Sequence, residues 1–317
     1  MFGLKSDCVL DIPEDYYTLA DYESATARWC PGCGDHGILT AVQRLCSEKQ
    51  LPPEKTVFVS GIGCSSRLPH YMKTYGFHGL HGRALPVANG IKFRRPDLHV
   101  FVATGDGDCC SIGTAHWIHA IRYNTNITVL LLDNEIYGLT KGQASPTSNK
   151  GTVSNTSPRG SQLPPINPIQ TTLGVSNVSF VAQTVDWNPA HLYATIEAGY
   201  NHPGLSFIRV LQRCPVFQKD LFQTTMSSPD AITLLTHKNG IQVDPAITKI
   251  YKNVVEHDPS DINQARTLAG NHDREVIGLL YQNKNAERYD DYGAHNLGIS
   301  PEDKMRAIHK ELDKFAV

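Results

Sequence analysis

The sequence lacks an excess of charge of either sign and lacks any long apolar run. Of its 317 residues, 29 are Lys or Arg and 31 are Asp or Glu, so the formal net charge is −2. A chain so close to neutral shows no electrostatic footprint for nucleic acid or for an anionic membrane surface. No apolar run approaches the length of a membrane span or, near the N-terminus, of a secretion signal. We therefore expect a cytoplasmic protein that binds neither nucleic acid nor membrane.

Cysteine is also too scarce to indicate a disulfide framework, with eight in the whole chain. Without a secretion signal, metal binding or redox chemistry is the better expectation for them. Two of them form a Cys-x-x-Cys pair, Cys30 and Cys33, within "RWCPGCGDHGI". Taken alone, this pair is compatible with a redox dithiol, with half of a zinc site or with half of an iron–sulfur site.

Apolar runs and amphipathic segments alternate between residues 29 and 225. The runs "TVFVS", "HVFVATG", "ITVLLLD", "SFVAQTV" and "SFIRVL" are typical of strands that are buried on both faces. The alternation predicts an α/β fold with a doubly wound, mostly parallel sheet. Ligands of such sheets bind at the carboxyl ends of the strands. A long polar segment, 142–168, interrupts the alternation and predicts a lid or a binding loop, or else a disordered segment.

The chain divides into three parts on composition. Residues 1–28 are acidic and aromatic and predict an irregular N-terminal arm, whereas 29–225 carry the α/β alternation. In 226–317 the pattern weakens, and we expect a helical and irregular tail with two helices, near 259–269 and 300–316. Such a tail is expected to pack on a partner or on the parent domain.

A short motif at the predicted strand ends indicates a diphosphate and magnesium site. "GDGDCCSIG" places Asp106 after one apolar strand, and Asn134 follows the next strand, 28 positions later. A carboxylate, an amide and a nearby main-chain carbonyl suit Mg²⁺, which also takes diphosphate oxygens. The glycines allow close approach of the backbone to phosphate, and the N-terminus of the following helix favours its negative charge. Gly-Asp-Gly alone is a common turn, so the pairing with Asn134 carries the prediction.

This pattern resembles that of thiamine diphosphate enzymes. The phrases "CPGCG", "GIGCSS", "HGRALPVANGIK" and "YGLTKGQASPTS" resemble, more narrowly, the β subunit of 2-oxoacid:ferredoxin oxidoreductases, and the 2-oxoglutarate type most. The resemblance is strong over about 28–225 and loose over the tail. It implies a thiamine diphosphate-binding module of the PP type, with Mg²⁺ held by Asp106, Asn134 and the Ile136 carbonyl. The residues expected to contact the cofactor are Gly61, Ile62, Cys64, Ser65, His81, Gly105, Asp106, Gly107, Asp108, Asn134, Ile136, Tyr137, Gly138, Leu139 and Thr140.

The resemblance also assigns four cysteines, Cys30, Cys33, Cys64 and Cys214, as ligands of a [4Fe–4S] cluster. Thiolates are the usual ligands of such clusters, and four complete the set. A structural zinc ion in a Cys₄ site is the alternative for the same residues. Spacing alone supports both equally, and a neighbouring thiamine site that handles electrons favours the cluster. The remaining cysteines are expected to be structural: Cys8, Cys46, Cys109 and Cys110.

The activity implied by the resemblance is oxidative decarboxylation of a 2-oxoacid, with 2-oxoglutarate favoured. Coenzyme A takes the acyl group to give an acyl-CoA and CO₂, and electrons pass through the cluster to ferredoxin, in a reaction that is reversible in principle. His81 is expected to reach the cofactor or the substrate, with a helix-capping or surface histidine as the alternative. Lys141 is expected to pair with a carboxylate or phosphate of the substrate or of coenzyme A, with a solvated lysine as the alternative.

A second chain is expected to complete the site. In thiamine enzymes a Glu on a separate pyrimidine-binding domain activates the cofactor, and too few residues follow position 225 to form that domain. We therefore expect an α subunit, in a heterodimer or a dimer of heterodimers, and no activity without it. Two other readings stay open: a non-redox thiamine diphosphate-dependent decarboxylase subunit with a zinc Cys₄ site, and a non-enzymatic zinc-binding scaffold.

Overall fold

The computed structural model describes most of the chain from residue 16 onward. The described ranges are 16–228, 230–238, 240–242, 244–270, 274–293 and 299–315. The strands are β1 (Thr56–Ser60), β2 (Tyr75–His78), β3 (His99–Gly105), β4 (Thr128–Asp133), β5 (Ile136–Tyr137), β6 (Gln143–Ala144), β7 (Phe180–Val185), β8 (Ser206–Leu211), β9 (Ile232–Thr236), β10 (Asn253–Glu256) and β11 (Glu275–Gln282). The α-helices are α1 (Asp35–Glu48), α2 (Ala84–Arg94), α3 (Thr114–Tyr123), α4 (Pro168–Leu173), α5 (Pro189–Tyr200), α6 (Gln223–Ser227), α7 (Pro245–Thr248), α8 (Ile262–Ala269), α9 (Tyr289–Gly293) and α10 (Pro301–Asp313).

Nine strands form one sheet in the order β10-β9-β11-β7-β8-β4-β3-β1-β2. Every neighbouring pair is parallel except β11 and β7, which run antiparallel. The short pair β5 and β6 stands apart from this sheet. The predicted doubly wound, mostly parallel α/β fold is confirmed.

Helices cover both faces of the sheet, and an apolar core lies on each side. All residues of β1, β4, β7 and β8 are buried, as expected for strands enclosed by helices on two faces. On the face covered by α2 and α3, Trp117 stacks on Phe207 with ring centroids 5.5 Å apart. On the face covered by α1 and α5, Phe58 stacks on Phe101 at 4.8 Å. Three of the cysteines that were expected to be structural lie in these cores: Cys46, Cys109 and Cys110.

The N-terminal segment docks on the body of the protein where the structure describes it. Leu19–Asp21 form a single 3-10 turn. Tyr22 follows fully buried, and its hydroxyl donates a hydrogen bond to the Leu51 carbonyl at 2.7 Å. The first fifteen residues of the arm predicted over 1–28, with Cys8, lie outside the described residues.

The C-terminal segment differs from the expected tail of two helices. Helices α8 and α10 do lie near the predicted positions, but β9, β10 and β11 join the main sheet beyond β7. A further apolar cluster spans the expected boundary at 225, since Val185 and Leu211 of the main sheet pack with Ile232 and Ile277. The segment therefore extends the parent sheet. Among the described helices, none combines the length and the apolar character needed to span a bilayer.

Candidate cofactor site

A cavity of about 510 Å³ opens at the carboxyl ends of β1, β3 and β4. It lies there because the loops that follow these parallel strands leave the sheet at the same edge. Every residue expected to contact the cofactor lines this cavity except Gly61. The lining also includes three residues that the sequence reasoning did not single out: Gly63, Leu132 and Gln143.

The predicted magnesium ligands lie together in the floor of the cavity. Asp106 and Asn134 follow β3 and β4, which pair directly, and both side chains are buried. Asn134 donates from Nδ2 to Gln212 Oε1 at 2.8 Å, which directs its amide oxygen to the other side. That oxygen accepts from the Ile136 amide at 3.2 Å, so Ile136 is held beside it. Asn134 and Ile136 are thus adjacent, Asp106 follows the neighbouring strand, and all three groups offer hard oxygens, as Mg²⁺ requires.

The charge around Asp106 also suits a cation. Burial, and then the charge of Asp133, raise the pKa of Asp106 to about 7. The other charged partner in this region, Arg209, is already paired with Asp133, its Nε lying 2.7 Å from Oδ2. No three His, Cys, Asp or Glu side chains converge on one point within the described ranges. The predicted magnesium set would not need them, because Asn134 and a main-chain carbonyl would supply two of its oxygens.

The first residues of the long polar loop, 142–168, contribute to the site. Thr147 is 3% exposed, and its hydroxyl lies 2.7 Å from Asp106 Oδ2 and 2.9 Å from Asp133 Oδ1. Ser148 donates to the Glu135 carbonyl. Sequence reasoning expected a lid or a binding loop over 142–168 but did not identify Thr147. Its only sequence signal was the position of "SPTS" shortly after the magnesium motif.

Two features of the cavity wall suit a phosphate-bearing ligand. Ser65 is 5% exposed, and its hydroxyl has no hydrogen-bond partner among the described residues. A Cβ added at Gly105 would lie 3.1 Å from that hydroxyl, and one added at Gly107 would lie 2.2 Å from the Tyr137 ring. The two glycines therefore allow Ser65 and Tyr137 to approach the motif closely, while Ser65 offers an unused donor. The residues present fit a diphosphate.

Of the two residues expected to act in catalysis, the structure brings one to the cavity. The His81 side chain is 38% exposed, lines the cavity and lies with Nδ1 2.7 Å from Asp108 Oδ1. Lys141 is exposed, has a left-handed backbone conformation with φ 77°, and is not part of the lining.

The four cysteines assigned to a cluster come from three segments that meet at the same sheet edge. The Cys33 amide donates to the Cys30 carbonyl at 3.0 Å, and Gln212, just before Cys214, donates from Nε2 to Cys33 Sγ at 3.3 Å. Burial raises the pKa of Cys64 to about 12, and Asp35, Cys214 and Cys30 add to the rise, as expected for thiols that lie near one another. Cys64 lines the cofactor cavity, whereas Cys30 is exposed.

The same four thiols suit either of the groups considered for them. Four thiolates are the usual ligand set of a [4Fe–4S] cluster, and a structural zinc ion is also held by four cysteines.

Comparisons with family models agree with this geometry. Residues 61–210 match the thiamine pyrophosphate enzyme C-terminal TPP binding domain. Residues 246–295 match the model for the C terminal of the pyruvate ferredoxin oxidoreductase beta subunit. The second match covers part of the segment in which the structure adds β10 and β11 to the sheet.

Relatives and one solved structure extend the likeness over most of the chain. The 2-oxoacid:ferredoxin oxidoreductase subunit beta of Saccharolobus solfataricus is 38% identical over 268 residues, or 83% of this chain and 84% of the relative. The 2-oxoglutarate oxidoreductase subunit KorB of Mycobacterium tuberculosis is 49% identical over 195 residues, but only 52% of that relative is covered. The solved 2-oxoglutarate:ferredoxin oxidoreductase from Magnetococcus marinus, with 2-oxoglutarate, coenzyme A and succinyl-CoA bound, gives a TM-score of 0.77 at 34% identity, over 92% of this chain and 96% of that one. This chain therefore belongs to the family of β subunits of the 2-oxoacid:ferredoxin oxidoreductases.

Proposed function

We propose that this chain binds thiamine diphosphate, Mg²⁺ and a [4Fe–4S] cluster and, with an α subunit, oxidatively decarboxylates 2-oxoglutarate. The products are succinyl-CoA and CO₂, and the electrons pass to ferredoxin. One observation carries the proposal: the predicted magnesium ligands, the unpaired Ser65 hydroxyl and the predicted cluster ligand Cys64 line a single cavity. The solved relative with 2-oxoglutarate and coenzyme A bound supports this choice of substrates.

The residues of this chain would bind the diphosphate end of the cofactor. Asp106, Asn134 and the Ile136 carbonyl would hold Mg²⁺, and Ser65 would donate to a phosphate oxygen. Thiamine diphosphate, when bound, supplies a nucleophilic carbon that adds to the ketone and an electron sink for decarboxylation. The chain contributes binding, orientation and a floor closed to water, since Asp106 and Leu132 are almost fully buried.

A cluster bound by the four cysteines would provide the route for electron transfer from the cavity to ferredoxin. Cys64 lines the cavity, and Cys30, which belongs to the same proposed set, is exposed. A cluster held between them would therefore reach from the cofactor side to the protein surface, where ferredoxin could accept electrons one at a time. Cysteine thiols stay reduced in the cytoplasm, so their use as ligands supports a cytoplasmic location for this chain.

The cavity also supports the need for an α subunit. The only carboxylates that line it within the described chain are those of Asp106 and Asp108, and no Glu lies there. Both of these carboxylates are buried and held by side chains of this chain. We expect the carboxylate that activates the cofactor to come from the α subunit. The names of the relatives, which are β subunits, fit a heteromeric assembly.

The test is to co-express this chain with its α subunit, to purify the complex without oxygen, and to measure iron, sulfide, zinc and thiamine diphosphate. We expect a brown protein with about four iron atoms and one cofactor per β chain, and 2-oxoacid- and coenzyme A-dependent reduction of a viologen dye. A panel of 2-oxoacids ranks the substrates. A colourless, zinc-loaded protein would reject the cluster, a brown protein without thiamine would reject the cofactor, and preference for another 2-oxoacid would reject 2-oxoglutarate.

A further inference from the structure

Asp108 is a buried carboxylate on which three loops of the cavity converge. Its side chain is 1% exposed. Oδ1 accepts hydrogen bonds from His81 Nδ1 at 2.7 Å, from the Gly82 amide at 2.6 Å and from the Ile62 amide at 3.1 Å. Oδ2 accepts from Thr104 Oγ1 at 2.8 Å. Both oxygens therefore accept hydrogen bonds within the chain, and Oδ1 alone accepts three of them.

The surrounding backbone is adapted to this convergence. A Cβ added at Gly61 would lie 2.0 Å from Asp108 Oδ2, so only glycine admits the carboxylate there. Gly82 has φ 69°, and a Cβ added to it would lie 2.6 Å from the Gly113 amide nitrogen. The loops after β1, β2 and β3 thus meet at one side chain, at the cavity wall.

Among these donors, His81 is the one side chain that faces the cavity. A carboxylate can only accept, so the hydrogen bond to Asp108 requires that Nδ1 of His81 carries the proton. In the neutral ring Nε2 is then the acceptor, and no described residue forms a hydrogen bond with it. The side chain is 38% exposed, and its ring lies edge-on to Tyr137 with centroids 6.3 Å apart. A histidine that served only to neutralise a buried carboxylate would not need to line the cavity.

We propose that Asp108 is a positioning residue that fixes His81 with Nδ1 protonated and so presents Nε2 to the cavity as a hydrogen-bond acceptor for the bound cofactor or substrate. The proposal rests on the proposed function only in that the cavity holds thiamine diphosphate. It assigns Asp108 to the orientation of His81, whereas the sequence resemblance placed it among the cofactor contacts. The same arrangement, a carboxylate that selects the tautomer of a histidine, orients histidines at metal and catalytic sites.

The variant His81→Asn separates this role from a structural one. The Asn side chain can still donate from the position of Nδ1 to Asp108, but it has no group at the position of Nε2. In the αβ holoenzyme we expect kcat to fall by about a hundredfold, while the melting temperature stays near that of the parent. Unchanged kcat in H81N would overturn the proposal, because it would show that the bond to Asp108 is all that His81 provides.

The coupling between the two residues is tested with Asp108→Asn, which is close in shape but uncharged. We expect D108N to lower kcat by about tenfold, since a charged acceptor roughly doubles the strength of a hydrogen bond. The double variant D108N/H81N should be no slower than H81N alone, because the two residues act as a unit. Thr104→Val removes another donor to the same carboxylate without touching His81 and serves as the control. Additive losses in the double variant would refute positioning through His81.

A chemical probe gives a readout that does not depend on turnover. Diethylpyrocarbonate acylates the unprotonated nitrogen of histidine, and peptide mass spectrometry of the cofactor-free complex locates the product. We expect modification of His81, protection by thiamine diphosphate with Mg²⁺, and a several-fold slower reaction in D108N. If thiamine diphosphate binds without protecting His81, this inference fails and the proposed function stands. If thiamine diphosphate does not bind at all, the proposed function fails.

Discussion

Thr147 connects the long polar loop to the floor of the cofactor cavity. The perturbation is the removal of its hydroxyl group. It lies between Asp106 Oδ2 at 2.7 Å and Asp133 Oδ1 at 2.9 Å and is buried. The variant Thr147→Val keeps the shape of the side chain and leaves the two carboxylates without a donor between them. Burial and Asp133 already raise the pKa of Asp106 to about 7, so loss of the hydroxyl raises it further. At neutral pH more of Asp106 is then protonated and unable to bind Mg²⁺.

The magnitude follows from the hydrogen bond that is lost. A hydrogen bond to a charged group contributes about 1.5–3 kcal/mol. If the whole loss is expressed in the cofactor-bound state, the affinity for thiamine diphosphate with Mg²⁺ falls by about ten- to a hundredfold, since about 1.4 kcal/mol corresponds to tenfold. Outer-shell partners of metal ligands have effects of about the same size. The loss should shrink as the pH rises from 7 to 9, because deprotonation of Asp106 restores the ligand.

The assay is isothermal titration of the cofactor-free αβ complex with thiamine diphosphate at fixed Mg²⁺. The matched control is Thr152→Val, which lies in the same loop and donates to the Asn149 carbonyl, away from both carboxylates. Equal affinities in T147V and T152V would refute the reasoning, as would a loss in T147V that is independent of pH.

Three further predictions follow from the cysteines, the magnesium motif and a buried histidine. Cys64→Ala should lose iron and sulfide while most of the thiamine diphosphate binding survives, and Asp106→Ala should do the reverse. Cys46→Ala, which changes a core cysteine of α1, should keep both, and loss of iron in it would show that the cysteine assignment is wrong. Burial lowers the pKa of His191 to about 4, so the unfolded chain binds a proton below pH 6.5 that the folded chain does not. The contribution of this histidine to stability should therefore be full above pH 6.5 and should fall toward pH 4, by about 2 kcal/mol at pH 5. In urea unfolding, His191→Gln should show a smaller difference in the free energy of unfolding between pH 7 and pH 5 than the parent. An unchanged difference would count against burial of His191 as the cause.

The main sheet could be predicted because buried parallel strands have a local signature. β4 is a run of apolar residues that ends in Asp133, and all of it is buried, so the residues themselves report the environment. Ligands bind at the carboxyl ends of parallel strands, so the motifs that follow these strands were expected to lie together. The cavity is lined by all but one of the expected cofactor contacts. The fold and the common edge of the motifs needed only the period of the apolar pattern and the identity of the residues that follow it, whereas the resemblance to a known family supplied the list of expected contacts.

Other parts of the fold have no such signature. The four residues of β2 are all exposed, and β10 is partly or fully exposed, so neither strand shows an apolar period. These strands exist because an existing edge offers unpaired backbone groups: β2 adds to β1, and β10 adds to β9. Pairing of this kind depends on residues far away in the chain, so β2 and β10 leave no local signal. The strands β9 and β11 are different, because they are apolar and largely buried, and they were missed when 226–317 was expected to be a helical and irregular tail.

By itself, the sequence determined the α/β class and the predicted magnesium motif at the strand ends, and its resemblance to a known family added the set of four candidate cluster cysteines. These depend on local patterns and on which side chains can serve as ligands. Only the tertiary structure decided that Asp108 holds His81, that Thr147 joins Asp106 to Asp133, and that Lys141 lies outside the cavity lining. The reason is physical: a hydrogen bond is formed or lost within about 1 Å, and spacing in the sequence does not define positions across three loops to that precision.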